Sequence, residues 1–216
     1  MTTSAARIAL AAAAAYLVVT GVRLRTWGTR GDEATRELPS EALMPQSGAA
    51  LTHAITIDAP PDRVWPWIAQ LGQDKGGFYS YAWLENLGGA GIVNADHVEP
   101  AWQDPQPGDL LRLHPAIALE IIRVVPEELL VVSRPVRAGL GFHWIFLLSP
   151  HGQGRTRFLV RERYVVPWAP ARKVAAVVTV GSAIMSRRMV LGIKARAEAA
   201  LQPPSAESPQ GMSRPR

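Results

Sequence analysis

Residues 170–201, PARKVAAVVTVGSAIMSRRMVLGIKARAEAAL, decide the fold. The stretch opens behind Val166-Pro-Trp-Ala-Pro170, contains no further proline, and stops before Pro203-Pro204, the punctuation of one long helix. In its second half Arg187, Arg188, Lys194 and Glu198 share a broad face, while Met185, Met189, Ile193 and Ala200 cluster opposite. One side expects water and the other a core. Arg196 falls in the apolar sector, where a long side chain can still snorkel outward. Residues 174–185 carry no charge, and only Thr179 and Ser182 interrupt the apolar run. A helix apolar on every side must be covered on every side. Preceding strands can cover one side, so a further element is expected on the other.

Working upstream, residues 109–113, 117–125, 129–134, 142–149 and 156–165 read as five strands joined by short turns, which makes neighbours antiparallel. In the last strand Phe158, Val160, Glu162 and Tyr164 share one face, and Arg155, Arg157, Arg161 and Arg163 the other. The arginine face is expected to be the wet one. Residues 52–58 alternate as a first strand, and Asp58-Ala-Pro-Pro-Asp62 ends it and starts a helix through Trp65, Ile68 and Ala69. Residues 78–87 predict a short aromatic-rich helix, and residues 88–108 a long irregular stretch. The loop at 73–77 lacks the GxxxxGK[ST] pattern, which excludes a phosphate cradle of that kind.

Residues 8–22, IALAAAAAYLVVTGV, form an uncharged run between Arg7 and Arg23. A helix of this length falls short of the roughly 20 residues that a bilayer core requires. Basic residues follow the run and hardly precede it, the reverse of a secretory signal. Two readings stand: a membrane anchor that leaves the downstream domain on the cytoplasmic side, or a helix packed on the domain itself. Residues 26–51 read as a connecting segment over the surface, residues 52–201 as the main domain, and residues 202–216, rich in Pro, Ser and Gln, as a disordered tail.

The chain has 216 residues, 48% of them hydrophobic, enough for one cored domain with extensions. Cysteine is absent, which removes disulfides, thiolate ligands and a Cys nucleophile. Five scattered histidines offer no metal-binding spacing, so neither metal nor cofactor is expected. A net charge of +5 favours acidic partners, an anionic membrane surface above nucleic acid, because the basic residues are not interleaved with aromatics in a stripe.

The order of strand, two short helices, antiparallel strands and one closing helix resembles the START-like helix-grip proteins. These are also called the SRPBCC or polyketide cyclase/dehydrase-like superfamily, and birch pollen allergen relatives share the fold. Ile55-Thr-Ile-Asp-Ala-Pro-Pro-Asp-Arg-Val-Trp65 looks like its first strand and helix. GGFYSYAWLENL at residues 76–87, NADHVEPAWQDPQPGD at 94–109 and RRMVLGIKARAE at 187–198 resemble a membrane-associated bacterial subgroup, as do Leu24-Arg-Thr-Trp27-Gly and Glu33. The resemblance implies an α+β fold in which a curved antiparallel sheet wraps a long C-terminal helix, with an apolar cavity between them for a lipid or polycyclic ligand. It carries over no universal catalytic motif.

Candidate ligand contacts are Tyr79, Tyr81, Trp83 and Asn86 in the aromatic run, Phe158 and Tyr164 on the apolar strand face, and Met185 and Met189 on the long helix. Candidate acid/base groups are Glu85, Asp96, His97 and Glu162. Each has a plainer reading. Glu85 and Asn86 can brace the following loop; Asp96 and His97 need not face each other. Glu162 on an apolar face must be paired, for which Arg134 is the expected partner. His143 is expected to be a surface or edge residue. No GxSxG elbow surrounds any serine. Three functions are therefore open: binding or carriage of an apolar small molecule or lipid, a cyclase or dehydratase-type enzyme acting on a polyketide-like or other hydrophobic substrate, and a structural partner protein.

Overall fold

The computed structural model describes residues 23–43, 49–137, 140–165 and 169–200. The apolar run at 8–22 and the tail at 202–216 lie outside the described residues. Strand β1 (Ala49–Ile57) leads into helix α1 (Pro61–Ala69) and the short helix α2 (Ala82–Asn86). Strands β2 (Leu110–His114), β3 (Ile117–Val125), β4 (Leu129–Arg137), β5 (Leu140–Pro150) and β6 (Thr156–Val165) follow, and α3 (Ala169–Ala199) closes the fold. The six strands form one antiparallel sheet in the order β1-β6-β5-β4-β3-β2. Register shifts near Arg112, Ile121 and Arg134 mark bulges, which bend and twist the strands. This α+β arrangement, a curved sheet with a long C-terminal helix against it, fits the helix-grip architecture.

Local chemistry accounts for the element ends. Pro60 is extended and Pro61 opens α1, where a fixed φ suits the first turn and the missing N–H costs nothing. The aromatic run folds less than its composition suggests. Only residues 82–86 are helical, because Tyr79 takes φ +55 and turns the chain before the helix can start.

Two apolar layers sit on the two faces of the sheet. On the inner face Phe158, Val160, Phe146 and Ile121 pack with Val64 and Ile68 of α1 and with Met189, Val190 and Ile193 of α3. On the outer face a smaller cluster joins Ala54, Val131, Ile145, Leu147 and Leu159 to Leu38. Leu38 belongs to the segment expected to be a surface connection, and its burial corrects that expectation.

The arginine face is not wet. Arg157 is 9% exposed and Arg161 only 1%. Residues 28–41 lie across them as a strap. Glu33 accepts from Arg157 Nε and Nη2 at 2.8 and 2.6 Å. Glu41 accepts from Arg161 at 2.7 Å and also from Arg163. Arg161 further donates to Thr52 Oγ1 and to the carbonyls of Glu33 and Arg36. The Arg157 hydrogen bond is the largest influence on Glu33 and holds its carboxyl below the usual range. Burial alone would raise Glu41, but the Arg163 hydrogen bond, the Leu38 N–H and the neighbouring arginine charges together hold it low. The strap also buries His143 on this outer face, so it is not a surface residue, and desolvation lowers its pKa.

The strap begins along the free edge of β1, where Ala54 N–H donates to Trp27 O and His53 Nε2 lies 2.7 Å from Leu24 O. Gly28 has φ +74, and a Cβ there would lie 2.0 Å from Ala54 O, so only glycine permits this approach. Farther along α3, Val180 and Ile184 are each 46% exposed. The described residues therefore do not supply the all-round cover expected for the apolar half of α3.

Candidate functional site

A cavity of about 290 Å³ lies between the inner face of the sheet and α3. Its apolar wall comes from Phe78, Ala90, Ile92, Leu113, Trp144, Met185 and Met189, and its polar groups from Ser80, Glu85, His114, Glu162, Ser182 and Ser186.

The 76–80 loop forms one side, and three sequence motifs meet to hold it. Asn94 Oδ1 accepts from Phe78 N–H at 3.1 Å and from Tyr79 N–H at 2.7 Å, while Asn94 Nδ2 donates to Ser80 O. Gly192 of α3 lets the loop approach, since a Cβ there would lie 2.3 Å from Tyr79 O. Arg196 donates to Ala95 O and stacks over Tyr79, 4.5 Å from the ring centre. Ser80 Oγ then donates to Met185 O at 3.0 Å, tying the loop to the helix.

The polar side is built around Glu162. Tyr164 Oη lies 2.5 Å from Glu162 Oε2 and 2.8 Å from Ser182 Oγ, and Ser182 Oγ lies 2.5 Å from the same carboxyl oxygen. Arg134, the expected partner, is exposed, and the partners of Glu162 are hydroxyls instead. Burial raises the Glu162 carboxyl, and the Ser182 and Tyr164 hydrogen bonds only partly offset this. Burial, followed by the Glu162 charge, raises Tyr164 as well. Ser186 exerts a weaker favourable influence on Glu162, but its Oγ stands outside hydrogen-bond geometry and has no other partner. Glu85 Oε2 and Trp144 Nε1 are likewise buried and unpartnered. Burial pushes the Glu85 carboxyl up to about 7.

The other expected residues are distributed as follows. Met185 and Met189 line the cavity. Tyr164 reaches it only through Glu162 and Ser182. Tyr79 is 2% exposed and spends its hydroxyl accepting from Gln70 Nε2 at 2.9 Å, and Phe158 is core. Asn86 bonds both backbone groups of Ile92, bracing the loop. Tyr81 and Trp83 point outward, 38% and 66% exposed, with Arg188 stacked on Tyr81. Of the acid/base candidates, Glu85 and Glu162 line the same cavity. Asp96 and His97 do pair, at 2.8 Å, but both are exposed and neither lines the cavity. Sequence reading missed Ser182, Ser186, His114 and Trp144 as lining groups. The available signal was two serines four residues apart on an apolar helix, aligned with the carboxyl stranded on the facing strand. Among the described residues no cluster of His, Asp and Glu could hold a metal ion, and no helix is long and apolar enough to cross a membrane.

No protein-family model and no curated protein matches the chain. Solved structures resemble it at low identity. The hypothetical protein jhp0584 from Helicobacter pylori is 9% identical, with 78% of this chain and 98% of that one covered and a TM-score of 0.48. CalU16 from Micromonospora echinospora is 18% identical, with 76% and 90% covered and a TM-score of 0.37. Norcoclaurine synthase from Thalictrum is 14% identical, with 74% and 99% covered and a TM-score of 0.42. At these scores the likenesses assign no activity or substrate to this chain.

Proposed function

We propose that the chain binds a small, mainly apolar molecule, such as a lipid or a compact ring compound, in the cavity between the sheet and α3. The observation that carries this reading is a 290 Å³ space, apolar over most of its wall, whose lining residues include Glu85, Trp144 and Ser186, each with a buried polar atom that no described protein group satisfies. A mere packing defect would be wholly apolar. Buried polar atoms without partners in a native fold call for a ligand or ordered water to satisfy them. Native mass spectrometry of the purified full-length chain should detect a bound small molecule, and Ala90→Trp, which fills the cavity, should remove it. Spectra that are unliganded for both proteins overturn the reading.

A second reading is acid/base catalysis of the cyclase or dehydratase type. It is favoured by two cavity-lining carboxyls whose acidities are both shifted upward, the condition for a carboxylic acid to donate a proton near neutral pH. On this reading Glu85→Gln and Glu162→Gln abolish turnover of the bound molecule while binding persists.

An anionic membrane surface is the proposed partner. Exposed Arg188 stacked on outward-facing Tyr81, with Trp83 also exposed and Arg187 over Trp27, combines positive charge with aromatics, which supports it. Deleting residues 1–22 tests the anchor: the protein should leave the membrane fraction, and unchanged partitioning rejects that role for the segment.

A further inference from the structure

The charges in the cavity wall point to the polar end of the ligand; this inference rests on the binding reading and narrows it. Among the described lining residues the ionisable groups are Glu85, His114 and Glu162, and none is Lys or Arg. His114 is already committed. Its Nδ1 lies 3.1 Å from Ala116 N–H and its Nε2 lies 3.1 Å from Gly88 O. An acceptor at Nδ1 and a donor at Nε2 satisfy both contacts and leave the ring nothing for a ligand. Two carboxyls remain without a cation.

The contrast with the rest of the molecule is informative. On the outer face each buried carboxyl has its arginine, Glu33 with Arg157 and Glu41 with Arg161 and Arg163. In the cavity none of the described lining residues supplies one. Among the described residues the partners of Glu162, 2% exposed, are hydroxyls, and Glu85 Oε2 is buried with no partner. Ser186, 4% exposed, and Trp144, 7% exposed, are also lining residues, and each has a buried polar atom that no described protein group satisfies. Phe78 and Trp144 add aromatic faces, which attract cations.

We propose that the cavity takes an apolar amine, whose ammonium group faces Glu85 and Glu162. An ammonium brings three donors and the compensating charge, and in a desolvated space that attraction is stronger than in water. An alcohol of the same shape brings one donor and no charge. At pH 8, above the Glu85 value of about 7, a carboxylate of the same shape meets like charge and is repelled. The Trp144 N–H and the Ser186 hydroxyl remain for an oxygen acceptor, so an amino alcohol or amino ketone satisfies more of the wall than a bare amine. The upward-shifted Glu85 acidity agrees, because a carboxyl that lacks a cation prefers its proton.

Isothermal titration of the full chain at pH 8 with octylamine, octanol and octanoate tests this. Octylamine should bind about tenfold or more tighter than octanol, and octanoate should not bind. Glu85→Gln should remove most of the amine advantage while leaving octanol unchanged. Glu162→Gln, an amide of the same shape, provides the same readout if the first variant fails to fold. Octanol binding as tightly as octylamine, or octanoate binding best, overturns the amine assignment and leaves a cavity that binds apolar molecules. Failure of all three probes to bind, in wild type and Ala90→Trp alike, overturns both the amine assignment and the binding reading.

Discussion

Arg161 and Glu41 form an ion pair, Nη1 to Oε2 at 2.7 Å, in which both side chains are 1% exposed. The pair joins β6 to a segment 120 residues earlier in the chain. Removing one member leaves a buried charge without compensation, which costs about 3–5 kcal/mol. Glu41→Ala strands two arginines and should lower the unfolding free energy by that order, seen as a lower urea midpoint, and a midpoint unchanged from wild type would mean the strap carries no stability.

Acid should release the same strap. Glu33 and Glu41 have lowered folded-state values, so their stabilisation is fully present above the ordinary value of 4.5 and is lost as pH falls through their folded values. The stability gap between wild type and Glu41→Gln should therefore be widest near neutrality and narrow below about pH 4. A gap that widens in acid would contradict the assignment.

Glu85 works in the opposite sense. Its folded value near 7 exceeds its ordinary 4.5, so the unfolded chain loses this proton first as pH rises. Stability then falls between those two values and levels off above them, by about 1–3 kcal/mol for this group. Glu85→Gln should remove that fall and be more stable than wild type at pH 8, as measured by chemical denaturation. Identical pH profiles would show that Glu85 is solvated.

The Glu162 cluster should behave as a unit. Tyr164→Phe and Ser182→Ala each delete one hydroxyl from a buried carboxyl and should each cost about 1–3 kcal/mol. Because both hydroxyls contact the same oxygen, the double variant should cost less than the sum of the two. Additive losses would mean that the hydroxyls act independently.

Gly192→Ala probes the loop and α3 together. With Tyr79 O only 2.3 Å from the added Cβ, the loop must move, at about 1–3 kcal/mol. Hydrogen exchange should quicken at the amides of Phe78 and Tyr79. Unaltered protection there would separate the glycine from the loop.

Much of this architecture was legible from spacing. Two strands, β3 and β6, run over the residues expected, and the long helix begins and ends within two residues of the expected bounds, 170 and 201. Alternation in β6 correctly divided Glu162 from the arginines, but alternation only groups side chains by face. It does not say which face is wet. That depends on a remote segment, and Glu33, Leu38 and Glu41 looked like loop composition until they met Arg157 and Arg161. The cavity was harder to read. Tyr79, Tyr81 and Trp83 have the chemistry of ligand contacts, yet one turn at Tyr79 and one brace at Asn94 send the first into a buried contact with Gln70 and the other two outward. Glu85 and Glu162, 77 positions apart in sequence, meet at one cavity only because a bent sheet brings α2 and β6 to the same end of α3.

The segment that runs beside β1 has a bearing on solubility. By taking the Ala54 N–H at Trp27 and pressing Gly28 against it, the segment occupies a sheet margin that would otherwise invite a neighbouring chain to add a strand. A protein trimmed to begin at residue 49 would lose that guard together with both acidic partners of its buried guanidinium groups. It should clump into oligomers, although every strand of the sheet is still present.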